Sequence, residues 1–227
     1  MPYKAPRALR DKSSGFSLHE LLIVMGIMAI ISAIALPRLI SSARLIGSTG
    51  MPREIVTYLR FARQEALTRQ MVITCRYDDQ TKTITIINHG ERGITYDPTT
   101  DAMVKLPGNT AATANQVADV TIEQQTLTRT GITANDLILG RADGKDPATT
   151  TLDDGTLMTT LPASKQINIT FQPDGSVVNA QNASLNRTLF LYNQQAQQDT
   201  AFAISVLGTT GRVKLWRYDK NATKYSE

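Results

Sequence analysis

Apolar and polar positions divide this chain into a basic start, one long apolar run, and a remainder dominated by short alternating segments. From Phe16 to Leu36 there are 21 residues, and only two ionisable groups, His19 and Glu20, break the run near its start. A helix of that length, rising about 1.5 Å per residue, spans about 30 Å, the hydrocarbon thickness of a bilayer. The pattern therefore predicts a transmembrane helix over residues 16–40. A cleaved secretory signal has a shorter apolar core followed by a small-x-small site. Here Leu36-Pro37-Arg38 follows the core, and the small residue, Gly15, precedes it. Lys4, Arg7, Arg10 and Lys12 stand before the run against Asp11 alone. That excess of positive charge keeps the N-terminus cytoplasmic and exports the C-terminal body.

Beyond Pro37, Gly47-Ser-Thr-Gly50 and then Met51-Pro52 are hinge or helix-start signals. From Arg53 to Gln70 the apolar positions Ile55, Leu59, Ala62 and Ala66 recur at three- and four-residue spacing, with Arg60, Arg63, Gln64 and Arg69 between them. This is an amphipathic helix that needs an apolar surface to lie on. Alternating or β-branched segments supply it: Met71 to Arg76 and, after the turn-rich Tyr77-Asp-Asp-Gln80, Thr81 to Asn88. So short a connection makes that pair antiparallel. Further strands are expected at Gln166–Phe171, Ser176–Asn179, Thr188–Tyr192, Ala201–Leu207 and Arg212–Arg217. Pro173-Asp-Gly175 and Gly208-Thr-Thr-Gly211 are the turns between neighbours. The sum is an α+β chain. Its long N-terminal helix, transmembrane in the first half and amphipathic in the second, packs on an antiparallel sheet or a two-sheet domain over 41–227.

Between about Thr99 and Ser164 the composition shifts to Thr, Ala, Asp and Gly, with weaker signals at Val117–Thr128 and Leu137–Leu139. This stretch is expected to be a surface insertion. Its acidic runs, Ala142-Asp-Gly-Lys-Asp-Pro147 and Asp153-Asp154-Gly155, lack the alternating Asx ladder and closing glutamate of a calcium loop, so they are read as acidic turns. Cys75 is the only cysteine and excludes an intrachain disulfide; it is expected buried in a strand. One cysteine and two histidines, His19 and His89, give a hydrolase or metal site little to build with. No catalytic residue, metal or cofactor is assigned. The net charge of +4 is no argument for a polyanion partner. The first fifteen residues carry +3 of it, which leaves about +1 once they are removed.

Glu20 is costly inside an apolar segment, by about 2 to 3 kcal/mol on insertion scales. It either complements the helix dipole at headgroup level or pairs with a cation. A cut between Gly15 and Phe16 would create such a cation, the new amino group of Phe16. The string of basic leader, Gly15, Phe16, Glu20 and about sixteen apolar residues closed by Pro37 resembles the type IV prepilin N-terminus. The resemblance implies cleavage after Gly15 by a membrane prepilin peptidase, so that 1–15 is a leader, and N-methylation of Phe16. It implies that Glu20 neutralises the terminus of an adjacent subunit during assembly, and that Pro37 bends the helix. His19 departs from the isoleucine or valine usual at its place.

The order of segments over most of the remaining chain, the central stretch excepted, is similar to GspH/FimT-type minor pilins and pseudopilins. Tyr58-Leu-Arg-Phe-Ala-Arg-Gln-Glu-Ala-Leu-Thr-Arg69 leading into Met71-Val-Ile-Thr-Cys75 looks like that family's first helix and strand. Phe171-Gln-Pro-Asp-Gly175 looks like its later turn, and Gly208-Thr-Thr-Gly-Arg-Val-Lys214 like its closing hairpin. The resemblance implies a structural subunit of a pilus or type II secretion pseudopilus tip. It would be anchored in the inner membrane with a periplasmic domain and partnered by other pilins through the N-terminal helix. An alternative is a DNA-binding member for natural transformation. Some FimT-type proteins use a C-terminal Gly-Arg-x-Arg motif, and here the tetrad is Gly211-Arg212-Val213-Lys214. Alternation puts Arg212, Lys214 and Trp216 on one face of the strand, and Arg217 comes next. Cations beside an aromatic suit a phosphate backbone and a stacked base. Basic residues also guard edge strands against aggregation, with no ligand involved.

Overall fold

The computed structural model describes residues 17–97, 99–109, 118–127, 138–141, 152, 166–194 and 197–226. It excludes the side chains of residues 37, 38, 40–49, 197 and 198. The chain falls into two units, Met1–Ser42 and Ala43–Glu227. Helix α1, Leu18–Arg69, contributes to both.

In the first unit the helix presents apolar side chains all round. Leu21, Leu22, Met25, Met28, Ile30 and Ile34 are all exposed. Leu18–Leu36 has a mean hydropathy of 2.2 and is long and apolar enough to cross a membrane. The expected hinge at Gly47–Pro52 does not interrupt α1, which continues through it. A glycine costs a helix about 1 kcal/mol and does not forbid it. Packing offsets that cost from Met51 onward, where Met51 and Pro52 are already buried.

In the second unit the expected apolar stripe is the inner face of α1: Ile55, Leu59, Ala62 and Ala66 are buried. Around them stand two antiparallel sheets. The first has the order β5-β2-β1-β7, with β1 at Ile73–Asp78, β2 at Thr83–Asn88, β5 at Val120–Thr126 and β7 at Gln166–Phe171. The second has the order β11-β10-β9-β8-β6. Its strands are β6 at Ile138–Leu139, β8 at Arg187–Tyr192, β9 at Phe202–Leu207, β10 at Arg212–Asp219 and β11 at Lys224–Ser226. A hairpin of β3, Ile94–Asp97, and β4, Ala102–Lys105, forms a third, two-stranded sheet. One hydrophobic cluster joins the helix to both large sheets. It holds Ile55, Leu59, Ala62 and Ala66 with Cys75, Ile86, Ile169 and Phe171 of the first sheet and Leu189, Ile204, Val206 and Val213 of the second. The α+β class is observed, in its two-sheet form with the small β3/β4 hairpin besides.

The β1/β2 pairing is antiparallel, with Cys75 opposite Ile86. Ser176–Asn179, a strand by its pattern, forms only the isolated bridges Phe171↔Val177 and Val178↔Ser184. The central stretch is more than surface decoration. It contributes β4, β5 and β6, and its Leu127 is fully buried in the main cluster. β5 and β6 lie within the two weak signals of that stretch. The acidic runs 142–147 and 153–155 lie outside the described residues.

The turns after β7 and β9 are locked to α1 by Arg63, whose Nε donates to the Thr210 carbonyl at 3.0 Å. Gly211 has φ 63°, and a Cβ there would meet the Gly175 carbonyl oxygen at 1.9 Å and Arg63 at 3.0 Å. The glycine of the Gly-Arg pair is thus required by packing, whatever the arginine does. Gly211→Ala should destabilise the full chain by at least about 1 to 3 kcal/mol, the usual cost of a left-handed non-glycine residue. Denaturant titration of the detergent-solubilised protein measures this, and an unchanged midpoint would contradict the packing argument.

Candidate functional site

The first candidate site is the N-terminal processing and assembly segment. Gly15 and Phe16 lie outside the described residues. Glu20 is exposed in the first turn of α1, where a carboxylate complements the unsatisfied amide groups of a helix start. Its neighbour His19 is exposed as well. Pro37 lies within α1.

The second candidate is the basic strand β10. It pairs with β9, setting Arg212 opposite Leu207, Lys214 opposite Ser205 and Trp216 opposite Ala203. The alternation is as expected, but the two faces have unexpected surroundings. Val213 and Leu215 turn to the main cluster. The other face carries a second cluster of Phe190, Ala201, Ala203, Trp216, Tyr218 and Tyr225, joined by Leu152 from the central stretch. Trp216 is 3% exposed. Its Nε1 donates to Ser205 Oγ at 2.8 Å, and Lys214 Nζ lies 4.8 Å from its ring centroid. Tyr225 stands edge-on to both Phe190 and Tyr218, with ring centroids 5.1 Å apart in each pair.

This corrects the expectation for Trp216. A ring buried on one face and covered by a lysine cannot stack a nucleobase, and its energetic role is packing. The sequence pattern could not reveal this, because Leu152 and Phe190 of the same cluster come from distant segments. The four candidate DNA-binding residues also do not form one patch. Arg212 and Lys214 share the face of Trp216, whereas Arg217 shares the parity of Val213 and Leu215. Arg217 instead lines a groove with Arg53 of α1, a residue that helical periodicity marks only as solvent-facing.

Cys75 is buried in β1 as expected, and burial pushes its thiol up to about 12. His89 is not beside it. Its Nε2 is 2.7 Å from Thr74 Oγ1, its Nδ1 is 2.7 Å from Asp119 Oδ1, and the Thr74 hydroxyl is shared with Thr170 at 2.9 Å. Adjacent strand residues point to opposite faces, so Thr74 and His89 lie across the sheet from Cys75. The Asp119, His89 and Thr74 order has the polarity of a hydrolase triad. However, Thr74 and Thr170 are both buried, so no substrate carbon can reach the hydroxyl. The group acts as a hydrogen-bonded staple that ties the start of β5 to β1 and β7. Among the described residues, no three His, Cys, Asp or Glu side chains group to hold a metal.

Residues 10–36 match the family described as the prokaryotic N-terminal methylation motif. The matched segment takes in Gly15, Phe16 and Glu20 and stops just short of Pro37. The N-terminus therefore carries the pattern of that motif. No curated protein matches the sequence. Two crystal structures of the Pseudomonas aeruginosa PAO1 type IV minor pilin FimU, in space groups P21 and P65, are similar to the chain at 16% and 15% identity. Each comparison covers 78% of this chain, with 91% and 96% of FimU respectively, at a TM-score of 0.38. A score that low carries no residue roles from FimU to this chain.

The buried groups set two expectations. Trp216→Ala should cost about 3 to 5 kcal/mol of stability by opening a cavity in the second cluster, measured as a lowered unfolding midpoint. Cys75, held as a thiol by burial, should react with iodoacetamide at pH 8 at least about a hundredfold more slowly in the folded protein than in the unfolded one. Stopped alkylation followed by mass spectrometry reads that ratio.

Proposed function

We propose that this chain is a low-abundance type IV pilin-like subunit, either a minor pilin or a pseudopilin of the H type. In this reading prepilin peptidase cuts after Gly15 and Phe16 is methylated. The apolar half of α1 anchors the protein in the inner membrane, with the N-terminus cytoplasmic and the domain periplasmic. The subunit then joins the tip or priming complex of a pilus or a type II secretion pseudopilus. It is a substrate of the peptidase and catalyses nothing itself.

One observation carries the reading: the methylation motif at 10–36 runs into an apolar helix whose large side chains are exposed, and a separate α+β unit comes after it. Side chains such as Leu21, Ile23 and Val24 need apolar cover, which lipid provides before assembly and neighbouring helices provide after it. Glu20 belongs to that transfer. Its carboxylate, next to the new amino group of Phe16 in an adjacent subunit, forms a pair in a low-dielectric surrounding where an unpaired charge is costly. Pro37, inside the helix, removes one backbone donor and favours a bend there.

The alternative, a DNA-binding subunit for uptake, keeps Arg212 as an exposed cation and Lys214 as a half-exposed one, but loses its aromatic because Trp216 is buried. Binding would then rest on phosphate contacts and be steeply salt-dependent.

Two measurements test these readings. Gly15→Leu should leave a precursor longer by the 15 leader residues. Normal-sized mature protein from that variant, on immunoblot and intact mass, would remove the pilin-like reading. In a gel-shift titration at low salt, the wild-type full chain in detergent should bind DNA no better than the Arg212→Ala/Lys214→Ala double variant. Salt-sensitive binding lost in the double variant would establish the uptake alternative instead.

A further inference from the structure

Between α1 and β10 lies a groove of about 420 Å³, lined among others by Gly50, Pro52, Arg53, Phe202, Leu215 and Arg217. Pro52 and Phe202 are buried, Leu215 is half-buried, and together they give the groove an apolar floor. Arg53 and Arg217 are exposed at its rim, and neither guanidinium has a hydrogen-bond or ion-pair partner among the described residues. Asp199 also lines the groove but is already engaged by Lys220 Nζ at 2.7 Å. The groove therefore combines apolar surface with two uncompensated cations.

The complement is on the same chain. Val120, at the start of β5, is 58% exposed and is the one exposed large apolar side chain outside α1 among the described residues. Asp119 and Glu123 flank it, and β5 contains no basic residue. Asp119 gives only Oδ1 to His89, and its side chain remains 47% exposed; Glu123 meets Tyr58 through Oε1 alone, at 3.4 Å. Among the described residues β5 pairs only with β2, and it has neither the lysine nor the proline that usually guards an edge. It is an acidic edge with an exposed valine, and the groove is a basic trough with an apolar floor.

We propose that the groove of one copy receives the 119–123 stretch of a second copy, with Val120 on Phe202 and Leu215 and the two carboxylates at Arg53 and Arg217. The two patches are different surfaces, so the contact is heterologous and leaves a free patch on each copy for further addition. Rim ion pairs and one valine make a weak contact, which membrane anchoring strengthens by raising the local concentration. The contact belongs to the second unit and holds whether or not the chain is cut at Gly15, so its failure and a failure of the pilin-like reading are separate results.

Cross-linking of the full chain in membranes tests this. Cys75 is buried, so introduced thiols are the reactive ones. Gly50→Cys enters open space, and Val120→Cys is exposed. Copies of the two variants carrying different epitopes and expressed together should form a cross-linked dimer with a short bismaleimide, whereas each variant alone should not. Adding Arg217→Glu to the groove copy should lower the yield at least fivefold, and Glu123→Arg in the other copy should restore it. No mixed dimer, equal cross-linking of Val120→Cys with itself, or a yield indifferent to Arg217→Glu would each overturn the proposal.

Discussion

The second unit depends on the shared contact between one helical stripe and two sheets. Ala62 and Ala66, fully buried, keep the α1 surface low along the later part of the stripe, while Ile55 and Leu59, nearer its start, carry the larger buried side chains. Neither sheet buries its inner face against the other alone. Phe171 and Ile169 from one, and Ile204 and Val206 from the other, meet in the same cluster as the helix. A sheet with one apolar face must cover it, and here one helix covers two. The Arg63 bond to Thr210 and the tight meeting of Gly211 with Gly175 extend the same contact to the turns, holding both hairpin ends against α1.

That constraint has a consequence for the chemistry of the surface. Because Val213 and Leu215 commit much of the inner face of β10 to the main cluster, its outer face is left to Arg212, Lys214 and Trp216, and much of that is covered as well. Trp216, Tyr218 and Tyr225 pack under Leu152, leaving Arg212 exposed and Lys214 lying over an aromatic ring. The basic strand is thereby reduced from a cationic and aromatic platform to separated charges. Arg217, turned to the other side, joins Arg53 at a groove that neither segment forms alone. The most triad-like arrangement, Asp119, His89 and Thr74, has its hydroxyl sealed within the fold.

The first unit has a different surface. Its helix is apolar on every side, so no face is singled out for a protein core, and its one acid lies in the first turn. A single continuous α1 makes the two regimes adjacent along one backbone without a break at Gly47–Pro52.

Local pattern alone determined the apolar span, the basic stretch before it, the placement of Glu20, the amphipathic stripe Ile55 to Ala66, and most of the strands that became β1, β2, β7, β8, β9 and β10. Each of these is written in periodicity or charge order within a window of about twenty residues. The tertiary structure decided what no such window contains. The pair β3 and β4 is short and only partly apolar, and the three-residue β11 gains its strand character from pairing with β10. Helix continuity through Gly47–Pro52 depends on the burial of Met51 and Pro52, which local breaker signals oppose. The face of Trp216 was legible from alternation, but its burial was not, since exposure depends on what the rest of the chain lays over a face. For the same reason the Arg53 and Arg217 groove exists only after folding, when residues more than 160 positions apart line one space.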